Sequence, residues 1–148
     1  MKVRKMMEER AVADDKYKFL EHTADIKFRA FGKSLDKIFE NTALAISEII
    51  SRGKKIKEKK SWKIELEASD KEQLLYNFIE ELIYLLDAKG FIVSKAKVKV
   101  KGNSLKAEII GDSSENYEDL DHIKAPTYHD MHIRNKGNKW EAQVVVDV

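Results

Sequence analysis

Two stretches of helical period, each bracketed by its own start and stop signals and set among segments of strand period, restrict this chain to a small set of folds. In the first, Leu35, Ile38, Phe39, Thr42, Ala43, Ile46, Ile49 and Ile50 recur at three- and four-residue spacing, which predicts a helix with one broad buried face. Ser34 stands where an N-cap belongs, and Asp36 lies in the first turn, where the helix dipole favours a carboxylate. Gly53 predicts the stop. In the second, Leu74, Leu75, Phe78, Ile79, Leu82, Ile83, Leu85 and Leu86 repeat the pattern. Ser69-Asp70 opens that helix, Gln73 follows Asp70 as in a capping box, and Gly90 closes it.

The rest of the chain alternates. Tyr17 to Leu20 and Ile26 to Phe31 read as strands interrupted by His22-Thr23-Ala24-Asp25. Trp62, Ile64 and Leu66 alternate with Lys63, Glu65 and Glu67, as in a half-buried strand. Phe91 to Val100 sets valines between lysines, Gly102-Asn103 signals a hairpin turn, and Leu105 to Ile110 returns. Ser113 to Asp121 is a polar loop, His122 to Arg134 a strand region with the one proline, and Asn135 to Asn138 a turn into a last strand, Trp140 to Val148. The expectation is an α+β domain over residues 17–148: two amphipathic helices packed against a largely antiparallel β-sheet system. Residues 1–16 form a charged N-terminal extension without clear period, to which no function is assigned.

Composition narrows the chemistry. The absence of cysteine excludes disulfides, thiolate catalysis and thiolate zinc sites. No apolar run reaches membrane-span length and no signal-peptide pattern opens the chain, so no membrane contact and a cytoplasmic location are expected. A net charge of +2 is nearly balanced, unlike that of a dedicated nucleic-acid binder. The basic run Lys54 to Lys60 reads first as a solvated loop and only second as an RNA contact.

No phosphate-binding glycine loop, metalloprotease helix or calcium-binding helical-hairpin loop is present. Asp119 and Asp121 lack the remaining ligands of a calcium loop and read as solvated. His129 and His132, three apart in a strand region, fall on opposite faces and cannot share one metal from a regular strand. Nothing supplies the backbone signature of a nucleophile elbow, so a hydrolase using His129 and Asp130 has little behind it.

Two features remain. Asp25 sits at a strand break, where a carboxylate has three physical uses: capping a turn, pairing with a cation, or binding a metal. Asp147-Val148 puts a side-chain carboxylate next to the α-carboxylate at the end of a valine-rich strand. With a third carboxylate from a neighbouring strand, those groups suit a hard divalent cation; the alternative is a frayed terminus.

Three stretches resemble one known family. Tyr17-Lys18-Phe19-Leu20-Glu21-His22-Thr23-Ala24-Asp25-Ile26 resembles the opening motif of the archeases, and Leu74-Leu75-Tyr76-Asn77-Phe78-Ile79-Glu80-Glu81-Leu82 resembles their second helix. Lys124-Ala125-Pro126-Thr127-Tyr128-His129-Asp130-Met131 resembles their Lys-Ala-x-Thr-Tyr-His-x-Met signature, and Val145-Val146-Asp147-Val148 fits their close. Pro126 departs from the aliphatic residue commoner there and requires an edge strand or a bulge.

The resemblance implies a non-catalytic protein that activates the GTP-dependent RNA ligase of tRNA splicing, promoting ligase guanylylation and multiple turnover. Contact with tRNA would be indirect or weak. It also implies a divalent-metal site of calcium type built from Asp25, Asp147 and the carboxylate of Val148. His22, Lys124, Tyr128 and His129 are candidates for a partner-facing surface. The rival reading is an RNA-binding module or RNA chaperone that uses the Lys54–Lys60 run.

Overall fold

The computed structural model describes residues 16–21 and 25–148. Helix α1 spans Leu35–Ser51. The Ser34 hydroxyl accepts the Lys37 N–H at 3.2 Å, filling one of the donors a helix start leaves open. Its inward stripe is buried throughout: Ile38, Phe39, Ile46, Ile49 and Ile50 are at most 1% exposed. Each such side chain contributes about 1.5–3 kcal/mol of burial, so the stripe rather than intrinsic propensity holds the helix. The helix ends one residue before the expected glycine: Arg52 already takes the left-handed conformation, φ 57°, and its N–H returns to the last turn. Gly53 continues the turn at φ 84°.

Helix α2 spans Lys71–Lys89. Asp70 Oδ1 accepts the Gln73 N–H at 2.8 Å, while Gln73 Oε1 reaches back to the Ser69 N–H at 2.7 Å. The reciprocal cap is therefore made one residue earlier than a strict capping box, and Gly90 closes the helix at φ 60°. Phe39 of α1 meets Phe78 of α2 edge to face, with ring centroids 5.6 Å apart.

Seven strands are described: β1 Tyr17–Leu20, β2 Ile26–Gly32, β3 Lys60–Glu67, β4 Phe91–Lys101, β5 Ser104–Ser113, β6 Ala125–Lys136 and β7 Lys139–Asp147. They form a four-stranded sheet in the order β1-β2-β7-β6 and a three-stranded sheet in the order β3-β5-β4, every pair antiparallel. The fold is α+β. Alternation is strict in β2, where Ile26, Phe28 and Ala30 face the core and Lys27 and Arg29 do not. In the second sheet, Ala96 and Val98 of β4 and Leu105, Ala107 and Ile109 of β5 point inward. A bulge between Val93 and Lys95 bends β4 against Gly111, where an added Cβ would lie 1.9 Å from the Ile92 carbonyl oxygen.

The exposed edge of β4 does not stay open. Asp36 Oδ1 accepts the Val100 N–H at 2.8 Å and Glu40 Oε2 accepts the Val98 N–H at 2.9 Å. Two carboxylates of α1 thus take the donors that would otherwise template another strand. The loop after β5 is tied down by Asp112, whose Oδ2 accepts the Tyr117 hydroxyl at 2.8 Å. That bond is the main cause holding the Asp112 carboxyl below its ordinary value.

Candidate functional site

The site is built where β2, β7 and β6 end together. The β2–β7 ladder runs to the pair Ile26↔Val146. Asp25 immediately precedes one member and Asp147 immediately follows the other, so antiparallel register brings both to the same end of the sheet. On the other side of β7, Asp147 pairs with Ala125, and its carbonyl oxygen accepts the Lys124 N–H at 2.8 Å. Strand β7 is thus paired on its β6 side as far as Asp147. Asp25 and Asp147 are half-buried, and Val148 is 37% exposed.

The side chains that the register brings to this end, Asp25 and Asp147, are both oxygen donors. That chemistry fits a hard divalent cation of the calcium class better than a softer metal. Among the described residues, no group of three or more His, Asp or Glu side chains is placed to hold a metal.

The candidates for a partner surface are distributed along β6. Lys124 is exposed directly beside Asp147. Tyr128 and His129 lie further on, in a stretch where β6 leaves register with β7 between Thr127 and His132. Asp130 takes a positive φ of 56° there, a conformation that aspartate tolerates better than most residues. Pro126 lies on an edge strand just ahead of this irregularity. Tyr128 is 53% exposed and stacks on Tyr76 of α2. Its hydroxyl pKa is raised, first by burial and then by the nearby Tyr76, Asp70 and Glu80. His129 is exposed, 3.4 Å from Asp130 Oδ2. His22 lies outside the described residues.

The two histidines go to different places. His132 Nε2 meets Glu141 Oε2 at 2.8 Å in a part-buried pair, while His129 stands at the surface. Sequence reasoning missed the polar network around that pair. Gln143 accepts from Arg29 Nε at 2.8 Å and donates from its amide nitrogen to the Asp130 carbonyl at 2.7 Å. Lys27 reaches Asp130 Oδ2 at 3.4 Å. Burial pushes the Glu141 carboxyl up, but the His132 hydrogen bond and the charges of Arg29 and Lys136 outweigh it, leaving the pKa lowered. The available signal was the alternation in β7, where Glu141 and Gln143 occupy every second position between Ala142, Val144 and Val146.

The basic run before β3 is an anchored loop. Ile56 is buried, the Lys54 ammonium donates to the Glu118 carbonyl, and the Lys57 N–H reaches the Tyr117 hydroxyl at 2.9 Å. Among the described residues, no helix is long and apolar enough to cross a membrane.

Comparison with known proteins shows the family. Residues 17–148 match the model of the archease protein family (MTH1598/TM1083). The archease of Pyrococcus furiosus is 41% identical over 135 residues, covering 86% of this chain and 95% of that protein. The Pyrococcus abyssi archease is 39% identical over 140 residues, covering 90% and 99%. The solution structure of Methanobacterium thermoautotrophicum protein 1598 superposes with a TM-score of 0.74 at 30% identity, covering 90% of this chain and 99% of that one. The crystal structure of the Thermotoga maritima archease, described as a possible chaperone, has a TM-score of 0.62 at 23% identity, covering 87% and 94%, and supports the fold. The chain belongs to the archease family.

Proposed function

We infer that this chain is a non-catalytic activator of the GTP-dependent RNA ligase of tRNA splicing, acting in the cytoplasm. The observation that carries the reading is the convergence of Asp25 and Asp147 at one sheet end, beside Lys124, in a chain that matches the archease family over residues 17–148. Asp25, Asp147 and the Val148 carboxylate would hold a divalent cation of calcium type there. When bound, such a cation would neutralise the negative charge gathered at this end. The residues of the chain itself then present a surface: Lys124 at that end, with Tyr128 and His129 on the irregular stretch of β6. An activator needs such a docking surface rather than a nucleophile and a base. Its effect is to favour the ligase conformation that accepts the guanylyl group, which requires tighter binding to that conformation than to the resting one.

The experiment is ligase guanylylation with labelled GTP, scored as covalent nucleotide on the ligase with and without this protein. Faster and more complete labelling supports the reading. Labelling that is identical in rate and extent ends it.

A further inference from the structure

The solvent face of the three-stranded sheet carries an ordered field of positive charge. Alternation in β4 sends Ala96 and Val98 inward, so Lys95, Lys97, Lys99 and Lys101 stand in one outward column. Register places Lys106 of β5 beside Lys99, and Lys63 of β3 on the row of Lys97 and Glu108. The same face holds only three glutamates, Glu65, Glu67 and Glu108. Glu58, just before β3, adds a fourth carboxylate beside Lys95, so six lysines meet four glutamates and the excess of positive charge lies along Lys97, Lys99 and Lys101. Lys95 pairs with Glu58 at 3.0 Å and Lys106 lies 3.8 Å from Glu65. Among the described residues, Lys97, Lys99 and Lys101 form no ion pair, and all three are exposed.

Lysines on an edge strand commonly serve to repel other strands. Here that task is already done by Asp36 and Glu40, which occupy the Val100 and Val98 N–H groups. The column is left with another use. Its repeat is two residues of strand, roughly 6.8 Å, comparable to the distance between neighbouring phosphates along a nucleic-acid strand. The outward positions around it hold neither arginine nor an aromatic ring, so the face offers point charges to phosphates and no platform for bases.

We propose that this face binds the sugar–phosphate backbone of RNA, independently of sequence, through the Lys97–Lys99–Lys101 column. The column lies on the other sheet from Asp25 and Asp147, and the tRNA-binding measurement that decides the proposal contains no ligase, so it stands or falls apart from the activator reading.

The test measures binding of the full chain to an unmodified tRNA transcript by fluorescence anisotropy between 50 and 200 mM salt. The comparison is the triple variant Lys97→Gln, Lys99→Gln, Lys101→Gln, with Lys54→Gln, Lys55→Gln, Lys57→Gln as the control. Wild type is expected to bind at low salt. The column variant is expected to lose tenfold or more at 50 mM, with a log–log salt slope shallower by about 2–3, while the control keeps its affinity. Thermal unfolding checks that the column variant keeps the wild-type melting temperature, as expected for exposed positions. Three results overturn the proposal: no tRNA binding by wild type, equal affinity and slope in wild type and column variant, or loss confined to the Lys54–Lys57 control. A column variant that loses ligase stimulation, when wild type has no RNA affinity, assigns the face to an acidic protein surface instead.

Discussion

Tyr76 and Tyr128 lie ring on ring, with centroids 4.3 Å apart and planes 9° from parallel. The contact fixes the irregular stretch of β6 to helix α2 while leaving Tyr128 53% exposed. An aromatic pair of this kind is worth about 0.5–1.5 kcal/mol beyond area burial. Tyr128→Ala is therefore expected to lower stability by about 1–2 kcal/mol and to reduce ligase stimulation by a larger factor than that loss explains. Urea unfolding beside stimulation measures both. Stimulation that falls only in step with the folded fraction would reduce Tyr128 to a packing residue.

The same comparison applies to Lys124 and His129, both exposed and neither part of the core. Lys124→Ala and His129→Ala should leave the unfolding midpoint within about 0.5 kcal/mol of wild type, as is usual for surface changes, and depress stimulation. Variants that unfold early but stimulate normally would contradict this.

Gln143 joins two elements that are distant in sequence, accepting from Arg29 and donating to the Asp130 carbonyl. Gln143→Leu keeps much of the volume and removes both bonds, leaving Arg29 Nε and a carbonyl without their partner. A cost of about 1–3 kcal/mol is expected, with faster amide hydrogen exchange around Asp130. Wild-type exchange there would mean that the β6 irregularity holds itself.

Glu141 gives the protein a pH-dependent contribution of known sign. Its folded pKa is below the ordinary 4.5, because His132, Arg29 and Lys136 outweigh the burial that raises it. A depressed carboxyl contributes stability that is fully present above the unfolded value and lost as pH falls through the folded one. The melting temperature of wild type should therefore exceed that of Glu141→Gln at pH 7, and the gap should narrow below pH 4.5. A gap that is constant down to pH 3 would show that the charge of Glu141 is not what its neighbours stabilise.

The helices and most strands were legible in the sequence because burial imposes a period. The stripe from Leu35 to Ile50 has one reading, and Ser34 and Asp70 cap as hydroxyl and carboxylate should. Boundaries set by single hydrogen bonds were less legible. Arg52 rather than Gly53 ends α1, β6 starts at Ala125 rather than His122, and the last hairpin turns on Gly137-Asn138 alone. The meeting of Asp25 and Asp147 is not in the local pattern at all, since it depends on which strand β2 pairs with. Sheet order is a long-range property, and only the resemblance put the two residues in one site beforehand. The Gln143 network was hidden for a related reason: the departure of β6 from register is invisible in a strand read by itself.

The terminal carboxylate gives a prediction about position rather than side chain. A C-terminal tag makes the Val148 carboxylate a neutral amide, and deleting Val148 moves the free carboxylate onto Asp147. Calcium affinity depends on ligand charge count, so both changes should weaken binding clearly, whereas Val148→Ile and an N-terminal tag should not. Calorimetric titration compares the four proteins. Equal affinity in all of them would leave the terminus as a strand end only.

The most direct test counts ligated products per ligase molecule, with excess RNA halves and limiting ligase, in the presence of wild type or Asp25→Ala. Thermal unfolding first checks that the Asp25→Ala variant is folded. Many products per ligase are expected with wild type and about one with Asp25→Ala, a single turnover left when the activator is lost. Equal, multiple turnover with a folded Asp25→Ala protein would contradict that expectation.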